Sequence, residues 1–248
     1  MSGMTLSWPA SGAPRGTAVL LHGLMAQATT WWRIGPALAD LGWETSAVDL
    51  PGHGRAPRLP DAVDLDGFAG ALAERLPDRV DLLVGHSLGA VAALALADRA
   101  RALVLEDPPG ALSDGERYLL SLVVEADGEL VGQDRALLVD RERAANPGWA
   151  ERDVANYIDG IAAADAPTLA SALRAPLRTD LPALVAAAPV PVLVLAGKDG
   201  SALRGDREAV RGLLPPGRFV ELDGGHCLHR DQPARWVDAV SAFAAAVC

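Results

Sequence analysis

The chain of 248 residues is half hydrophobic, contains 22% charged residues and has a formal net charge of −10 at pH 7. This length suits one large α/β domain or a core with an insertion, with ample apolar material for a buried core. The acidic balance argues against nucleic acid or an anionic membrane as a partner. No apolar run approaches the ~20 residues that span a bilayer. The N-terminal residues show no secretory signal, and the two cysteines provide no disulfide framework. We therefore expect a cytoplasmic protein.

Short apolar runs alternate with helical patterns over the first part of the chain. After a short strand at 5–8, continuous apolar runs predict buried strands at 17–21, 43–50, 80–84 and 102–106. Helical spacing between them predicts helices at 29–41, 65–76 and 90–97. Strands that alternate with helices at this spacing indicate crossover units and a mostly parallel sheet flanked by helices.

The alternation stops between residues 111 and 180, where no strand pattern occurs. A capping box at Ser113 opens a helix, and further helices are predicted at 149–163 and 167–175. About 70 residues without a strand are too long for a simple connection. We interpret 111–180 as an inserted helical cap, or lid, with a set of ordinary crossover helices as the alternative.

The predicted core domain then comprises residues 1–110 and 181–248. Its sheet resumes with strands at 190–195 and 218–222, and a helix at 233–247 ends the chain.

A serine between two glycines follows the strand at 80–84, in Gly85-His86-Ser87-Leu88-Gly89. Gly-x-Ser-x-Gly between a strand and a helix is the pattern of a nucleophile elbow. The tight turn holds the serine in a strained backbone conformation, and side chains at the glycines would crowd the neighbouring backbone. The N-terminus of the following helix points its N–H groups at the hydroxyl. Ser87 is therefore the predicted nucleophile.

A serine hydroxyl needs a base that takes its proton, and the base is usually histidine. Of the five histidines, His226 is the predicted base because it lies on a Gly-rich loop after the last strand. His229 is its competitor, with loop packing as its other role. His22 and His53 end strands and are predicted to hold loops together. His86 lies beside the serine, but its side chain should point away from the hydroxyl.

A third residue should be an acid that orients the imidazole and stabilises its charged form. Asp199 follows the strand at 190–195 and gives the chain order serine, aspartate, histidine. Asp107 follows the strand at 102–106 and also lies between the serine and the histidine. Asp199 is the preferred acid and Asp107 the alternative; Asp206 and Glu106 are weaker candidates.

The predicted oxyanion hole consists of two backbone N–H groups. One belongs to Leu88, directly after the nucleophile, and the other to Leu24, in the loop after the first long strand. Met25 adjoins this loop, Trp32 follows it, and Trp149 lies in the predicted cap. These three side chains are candidates for the substrate pocket, with packing in the interior as their alternative role.

Six segments together resemble the α/β-hydrolase family, in its single-domain form with a helical cap. They are LLHGL (20–24), DLPGHGRA (49–56), GHSLG (85–89), LVLEDPPG (103–110), LVLAGKDG (193–200) and DGGHCLHRDQP (223–233). The resemblance extends from residue 17 to the C-terminus and implies a Ser-His-acid triad without a cofactor. In many members the acid is three residues after the glycine of the strand-end turn, and that position is occupied by Gly200 here, so Asp199 comes one residue early. Other members place it after the earlier strand, where Asp107 stands.

The expected activity is hydrolysis of a small-molecule carboxylic ester, lactone or thioester through an acyl-enzyme, without a metal or cofactor. Relatives with the same triad also hydrolyse C–C bonds, form peracids or act as lyases, so the fold alone does not determine the reaction. The alternative of another class is a non-catalytic ligand-binding protein on the same scaffold. The sequence makes no prediction of the oligomeric state.

Overall fold

A computed structural model describes residues 6–59, 64–175 and 179–248 of the chain. Seven strands of these residues form one sheet in the order β1-β3-β2-β4-β5-β6-β7. The strands are β1 (Leu6–Trp8), β2 (Gly16–Leu21), β3 (Trp43–Val48), β4 (Val80–His86), β5 (Ala100–Glu106), β6 (Val192–Gly197) and β7 (Phe219–Leu222). The pairing of β1 with β3 is antiparallel and all other pairings are parallel. The predicted mostly parallel sheet is confirmed.

The central strands are apolar on both faces because helices cover both sides of the sheet. Along β4, Leu83 packs into one core cluster and Leu82 into the other. Both side chains are fully buried. Burial of such a side chain contributes about 1.5–3 kcal/mol, which explains why these strands appear in the sequence as continuous apolar runs.

The described residues contain eleven α-helices, and none of these helices is both long and apolar enough to cross a membrane. They are α1 (Ile34–Asp40), α2 (Leu65–Ala73), α3 (Leu88–Ala95), α4 (Asp114–Gln133), α5 (Arg135–Ala145), α6 (Glu151–Ala163), α7 (Ala166–Arg174), α8 (Leu181–Ala187), α9 (Arg207–Leu213), α10 (Leu228–Asp231) and α11 (Pro233–Val247). The helix predicted at 29–41 is divided into a 3₁₀ turn at Ala28–Trp31 and α1. The short helices α8, α9 and α10 were not predicted.

Helices α4 to α7 follow one another between β5 and α8, without a strand among the described residues of this segment. Ser113 forms the predicted capping box with Glu116 at the start of α4. The cap bounds of 111–180 stay a prediction, and residues 176–178 of that range lie outside the described residues.

Helix α6 fastens this helical segment to the loop after β2. The Trp32 indole N–H donates to Asp153 Oδ1 at 2.8 Å, and the Asn156 amide donates to the Thr29 carbonyl at 2.9 Å. Gly160 lies so close to this loop that a Cβ there would be 2.7 Å from the Met25 carbonyl oxygen. Helix α6 is therefore held against the loop after β2, which carries the predicted oxyanion donor Leu24.

Candidate active site

Ser87 lies at the tip of the turn between β4 and α3 with φ 53° and ψ −117°. Few residues other than glycine adopt a positive φ, and a serine held there indicates backbone strain at a functional position. Its N–H donates to the Glu106 carbonyl at 2.9 Å, which ties the turn to the end of β5. The strand, turn and helix predicted for this motif are all present.

The two glycines of the motif are required by close backbone contacts. A Cβ at Gly85 would be 2.2 Å from the Gly89 carbonyl oxygen, and a Cβ at Gly89 would be 2.5 Å from the Leu21 carbonyl oxygen. Either side chain would push α3 away from the sheet. The sequence pattern is thus a packing requirement of the sharp turn.

His226 lies on the loop between β7 and α10, and its Nδ1 is 2.6 Å from Oδ2 of Asp107. Asp107 directly follows β5, has φ 43° and is fully buried. Its carboxylate also accepts hydrogen bonds from the Gly197 N–H, the Ser201 hydroxyl and the Ala202 N–H, at 3.3, 2.5 and 2.7 Å. A buried carboxylate with these donors is held in place and leaves Nε2 of the imidazole as the nitrogen for proton transfer.

The preference for Asp199 as the acid does not agree with this geometry. Asp199 lies in the turn after β6, where it is exposed and its N–H donates to the Gly224 carbonyl at 3.1 Å. Strand β5 lies between β4 and β6 in the sheet, so Asp107 follows the strand that neighbours β4, at whose end Ser87 lies. The structure brings the alternative candidate, Asp107, to His226.

His229, the competing base, is buried and engaged away from the serine. Its Nδ1 is 2.7 Å from Glu106 Oε1, and its Nε2 is 2.9 Å from the Thr30 hydroxyl. Burial lowers the pKa of His229 well below 6.5 and raises the pKa of Glu106. These residues hold α10 against β5.

His86 supports the loop that carries His226. Its Nε2 is 2.9 Å from the His226 carbonyl oxygen, and the two rings are 4.6 Å apart. Burial lowers the pKa of His86 well below 6.5, so the neutral ring donates Nε2–H to that carbonyl. Sequence reasoning missed this contact because 140 positions separate the two residues.

Two histidines hold the loops after β2 and β3, and Leu24, one of the two predicted oxyanion donors, lies on the first of these loops. The Met25 N–H donates to His53 Nε2 at 3.1 Å, and the Leu50 N–H donates to His22 Nε2 at 2.9 Å. The predicted loop-holding roles of these histidines are confirmed. Within the described part of the chain, the N–H groups of Leu24 and Leu88 have no hydrogen-bond partner, as donors reserved for an oxyanion would require.

Ser87 and His226 line one cavity of about 960 Å³, and Met25 and Trp149 line it with them. Trp32, the other pocket candidate, lies elsewhere. Its indole N–H donates to Asp153, and the guanidinium groups of Arg33 and Arg152 lie 4.7 and 4.5 Å from its ring centroid. The tryptophan therefore joins the loop after β2 to α6 and does not reach the cavity.

Arg230 also lines this cavity, and nothing in the sequence pattern pointed to it. Its guanidinium lies 4.4 Å from the Trp149 ring centroid and 5.3 Å from that of Tyr157, and it donates to the Thr30 hydroxyl at 2.8 Å. These contacts place a buried cation beside two aromatic rings that line the cavity.

One group of the described residues has the spacing of metal ligands. The ligand atoms of His86, Glu106 and His229 all lie within 4.8 Å of one another. Both carboxylate oxygens of Glu106 are occupied, by His229 and by the Trp236 indole N–H at 3.0 Å. His229 uses both nitrogens in hydrogen bonds, so the arrangement fits a buried polar network better than a metal centre. Cys227 is no competing nucleophile, because burial raises the pKa of its thiol to about 12.

A strained serine after the central strand and a histidine–aspartate pair at the same sheet edge define an α/β hydrolase. The model of the alpha/beta hydrolase family matches residues 18–239, and the chain belongs to this family. The chain is 30% identical over 192 residues to a pimeloyl-[acyl-carrier protein] methyl ester esterase of Methylococcus capsulatus, covering 73% of this chain and 74% of that protein.

Two further comparisons agree with this assignment. An esterase of the same name from Neisseria meningitidis is 37% identical over 121 residues, and the chain spans 46% of its length. The solved structure of MenH from S. aureus superposes with a TM-score of 0.74 at 19% identity, over 96% of both chains. At that identity the superposition shows the shared fold.

Proposed function

We propose that this protein is a serine hydrolase that cleaves a small-molecule carboxylic ester or thioester through an acyl-enzyme. The observation that carries the proposal is the 2.6 Å contact between His226 Nδ1 and the buried Asp107, at the cavity that Ser87 lines. The names of the relatives, which are methyl ester esterases, support ester cleavage. A cytoplasmic location, small-molecule substrates and the absence of nucleic-acid partners stay predictions.

In the first half-reaction, the Ser87 hydroxyl oxygen attacks the carbonyl carbon while His226 Nε2 takes the hydroxyl proton. Asp107 stays ionised and stabilises the imidazolium that forms. The N–H groups of Leu24 and Leu88 stabilise the oxyanion, where one donor is typically worth about 10²–10³ in rate. The carbon–oxygen or carbon–sulfur bond then breaks as His226 protonates the leaving group.

In the second half-reaction, water replaces the leaving group. His226 takes a proton from the water, whose oxygen attacks the acyl carbon, and the Ser87 oxygen leaves with the proton returned to it. The products are the carboxylic acid and the free enzyme. The two half-reactions balance with water as the only co-reactant, and each proton transfer passes through His226.

The test is labelling by a fluorophosphonate probe together with turnover of p-nitrophenyl esters. We expect wild-type protein to be labelled at Ser87, and Ser87→Ala to lose both labelling and about 10⁴-fold or more of kcat. Ser171→Ala is the matched control, because Ser171 is exposed on α7. Folded wild-type protein that neither reacts with the probe nor hydrolyses any ester would favour the ligand-binding alternative.

A further inference from the structure

Ser87 stands at the border of two cavities of different size. The larger has a volume of about 960 Å³ and the smaller about 210 Å³. Five residues line both of them: Leu24, Ser87, Pro109, Leu112 and Leu120. An ester bound to Ser87 must place its two halves on opposite sides of the carbonyl carbon. The two cavities are therefore candidate sites for the two halves.

The smaller cavity is mainly apolar. Leucine, phenylalanine and valine side chains from several elements make up much of its described lining, among them Leu59, Phe68, Leu88, Val91, Leu169 and Leu173. Its charged lining residues are engaged locally: Asp64 caps α2 through the Gly67 N–H, and Arg117 pairs with Asp114. Burial of a hydrocarbon chain here is favourable because it removes apolar surface from water.

The larger cavity is lined with polar and charged groups as well as aromatic rings. Its polar and charged lining residues come from helices α4 and α5 and the turn after them, from the turn after β6, and from α10: Asp127, Glu142, Asn146, Arg204, Arg230 and Asp231. Asp127 and Glu142 both pair with Arg141, whose guanidinium lies outside the described lining. His226 lines this cavity, and the described lining of the smaller cavity does not include it.

The position of His226 distinguishes the two halves of the substrate. A general acid must be within hydrogen-bond reach of the atom that it protonates. The oxygen or sulfur of the leaving group must therefore face His226, which places the leaving group in the larger cavity. The acyl chain then extends into the smaller, apolar cavity.

We infer that the substrates are esters or thioesters that join a short apolar acyl chain to a large polar leaving group. The inference rests on the proposed serine-hydrolase function and adds the division of the substrate between the cavities. A methyl ester would not use this division of the substrate, because its leaving group, methanol, is small and would leave the larger cavity mostly unfilled. The reaction releases the short carboxylic acid and an alcohol or thiol that carries the polar groups.

The experiment measures kcat/KM of the full chain on two substrate series. The first keeps p-nitrophenol and lengthens the acyl chain through acetyl, butyryl, hexanoyl and dodecanoyl. The second keeps butyrate and enlarges the thiol from ethanethiol to N-acetylcysteamine and coenzyme A. We expect kcat/KM to fall about tenfold or more between hexanoyl and dodecanoyl, and to rise by about tenfold or more from ethanethiol to coenzyme A.

Two alanine-to-phenylalanine variants form a matched pair, because Ala172 lines the smaller cavity only and Ala145 the larger cavity only. Ala172→Phe should lower the ratio of kcat/KM for the hexanoyl ester to that for the acetyl ester by about tenfold. It should leave the ratio for the coenzyme A and ethanethiol esters at the wild-type value. Ala145→Phe should lower the ratio of the coenzyme A to the ethanethiol ester and keep the acyl ratio. Ratios within one folded variant cancel any loss of active protein.

Three results would overturn the inference. Dodecanoyl esters cleaved as well as butyryl esters, with no gain from larger thiols, would place the acyl chain in the larger cavity. The same conclusion would follow if Ala172→Phe changed the thiol series and Ala145→Phe changed the acyl series. In both cases turnover leaves the serine-hydrolase proposal standing, whereas no turnover of either series, without probe labelling of Ser87, overturns both proposals.

Discussion

The turns after β5 and β6 look alike in sequence, since each follows a buried strand and carries an aspartate. In the first turn Asp107 is fully buried and contacts His226, whereas in the second turn Asp199 is exposed. The turn after β6 instead directs hydrogen-bond donors at Asp107, from the Gly197 N–H, the Ser201 hydroxyl and the Ala202 N–H. The turn after β5 thus carries the proposed acid, Asp107, and the turn after β6 provides the hydrogen-bond donors that hold its carboxylate.

The largest expected effect follows from replacing the buried acid. Asp107→Asn should lower kcat/KM for a p-nitrophenyl ester by about 10³–10⁴-fold, because the amide favours the wrong imidazole tautomer. The amide NH₂ would also meet donors that now point at a carboxylate oxygen. A loss below about tenfold, in a variant that melts as the wild type does, would remove Asp107 from the mechanism.

A smaller effect should follow from crowding the end of β6. In Gly197→Ala the new Cβ would be 2.2 Å from the Gly225 carbonyl oxygen, next to His226. We expect a loss of about 10²-fold in kcat/KM and of about 1–3 kcal/mol in the free energy of unfolding.

Gly212→Ala in helix α9 is the matched control, because a Cβ there meets no atom within 4 Å. Its activity should equal that of the wild type. Equal activity of Gly197→Ala and Gly212→Ala would contradict the close contact between the turn after β6 and the His226 loop.

A further step down is expected for Ser201, whose hydroxyl donates to Asp107 Oδ1 at 2.5 Å. A hydrogen bond to a charged group contributes about 1.5–3 kcal/mol, so Ser201→Ala should lower kcat/KM by about tenfold or more. Ser201→Thr keeps the hydroxyl and should recover most of the activity. If both variants retain full activity, the turn after β6 does not support the acid as described.

The smallest effect is expected at the aspartate of the second turn. Asp199→Asn removes an exposed carboxylate that does not contact His226, so kcat/KM should stay within about twofold of the wild-type value. Asp199→Asn and Asp107→Asn should be prepared and assayed in the same way, so that their kcat/KM values can be compared directly. A fall of about 10²-fold or more would return the acid to Asp199.

The sequence was sufficient to predict the sheet and the strand–turn–helix that carries Ser87, because local patterns determine both. Strands buried on both faces, such as β4, appear as continuous apolar runs, and the elbow glycines are fixed by contacts within one turn and its neighbour. The choice of acid depends on strand order and on a contact between residues 119 positions apart. Both aspartates satisfy the chain order of the family, so that order could not separate them.

Local patterns do not reveal contacts between residues that are distant in sequence. For this reason Trp32 was predicted to line the substrate pocket, and the contact of His86 with the His226 carbonyl was missed. The side chain of Trp32 pairs with Asp153, 121 positions away, and no local spacing predicts that partner. Short helices such as α10 carry too few periodic positions for a pattern to be distinguished from a loop.

The most direct test of the account is the Nδ1–H proton resonance of His226 in ¹⁵N-histidine-labelled protein. A strong hydrogen bond between an imidazole and a buried carboxylate moves this resonance far downfield. We predict that the resonance is present in the wild type and in Asp199→Asn, and is lost or strongly shifted upfield in Asp107→Asn. A resonance that survives in Asp107→Asn and disappears in Asp199→Asn would contradict the assignment of Asp107 as the acid.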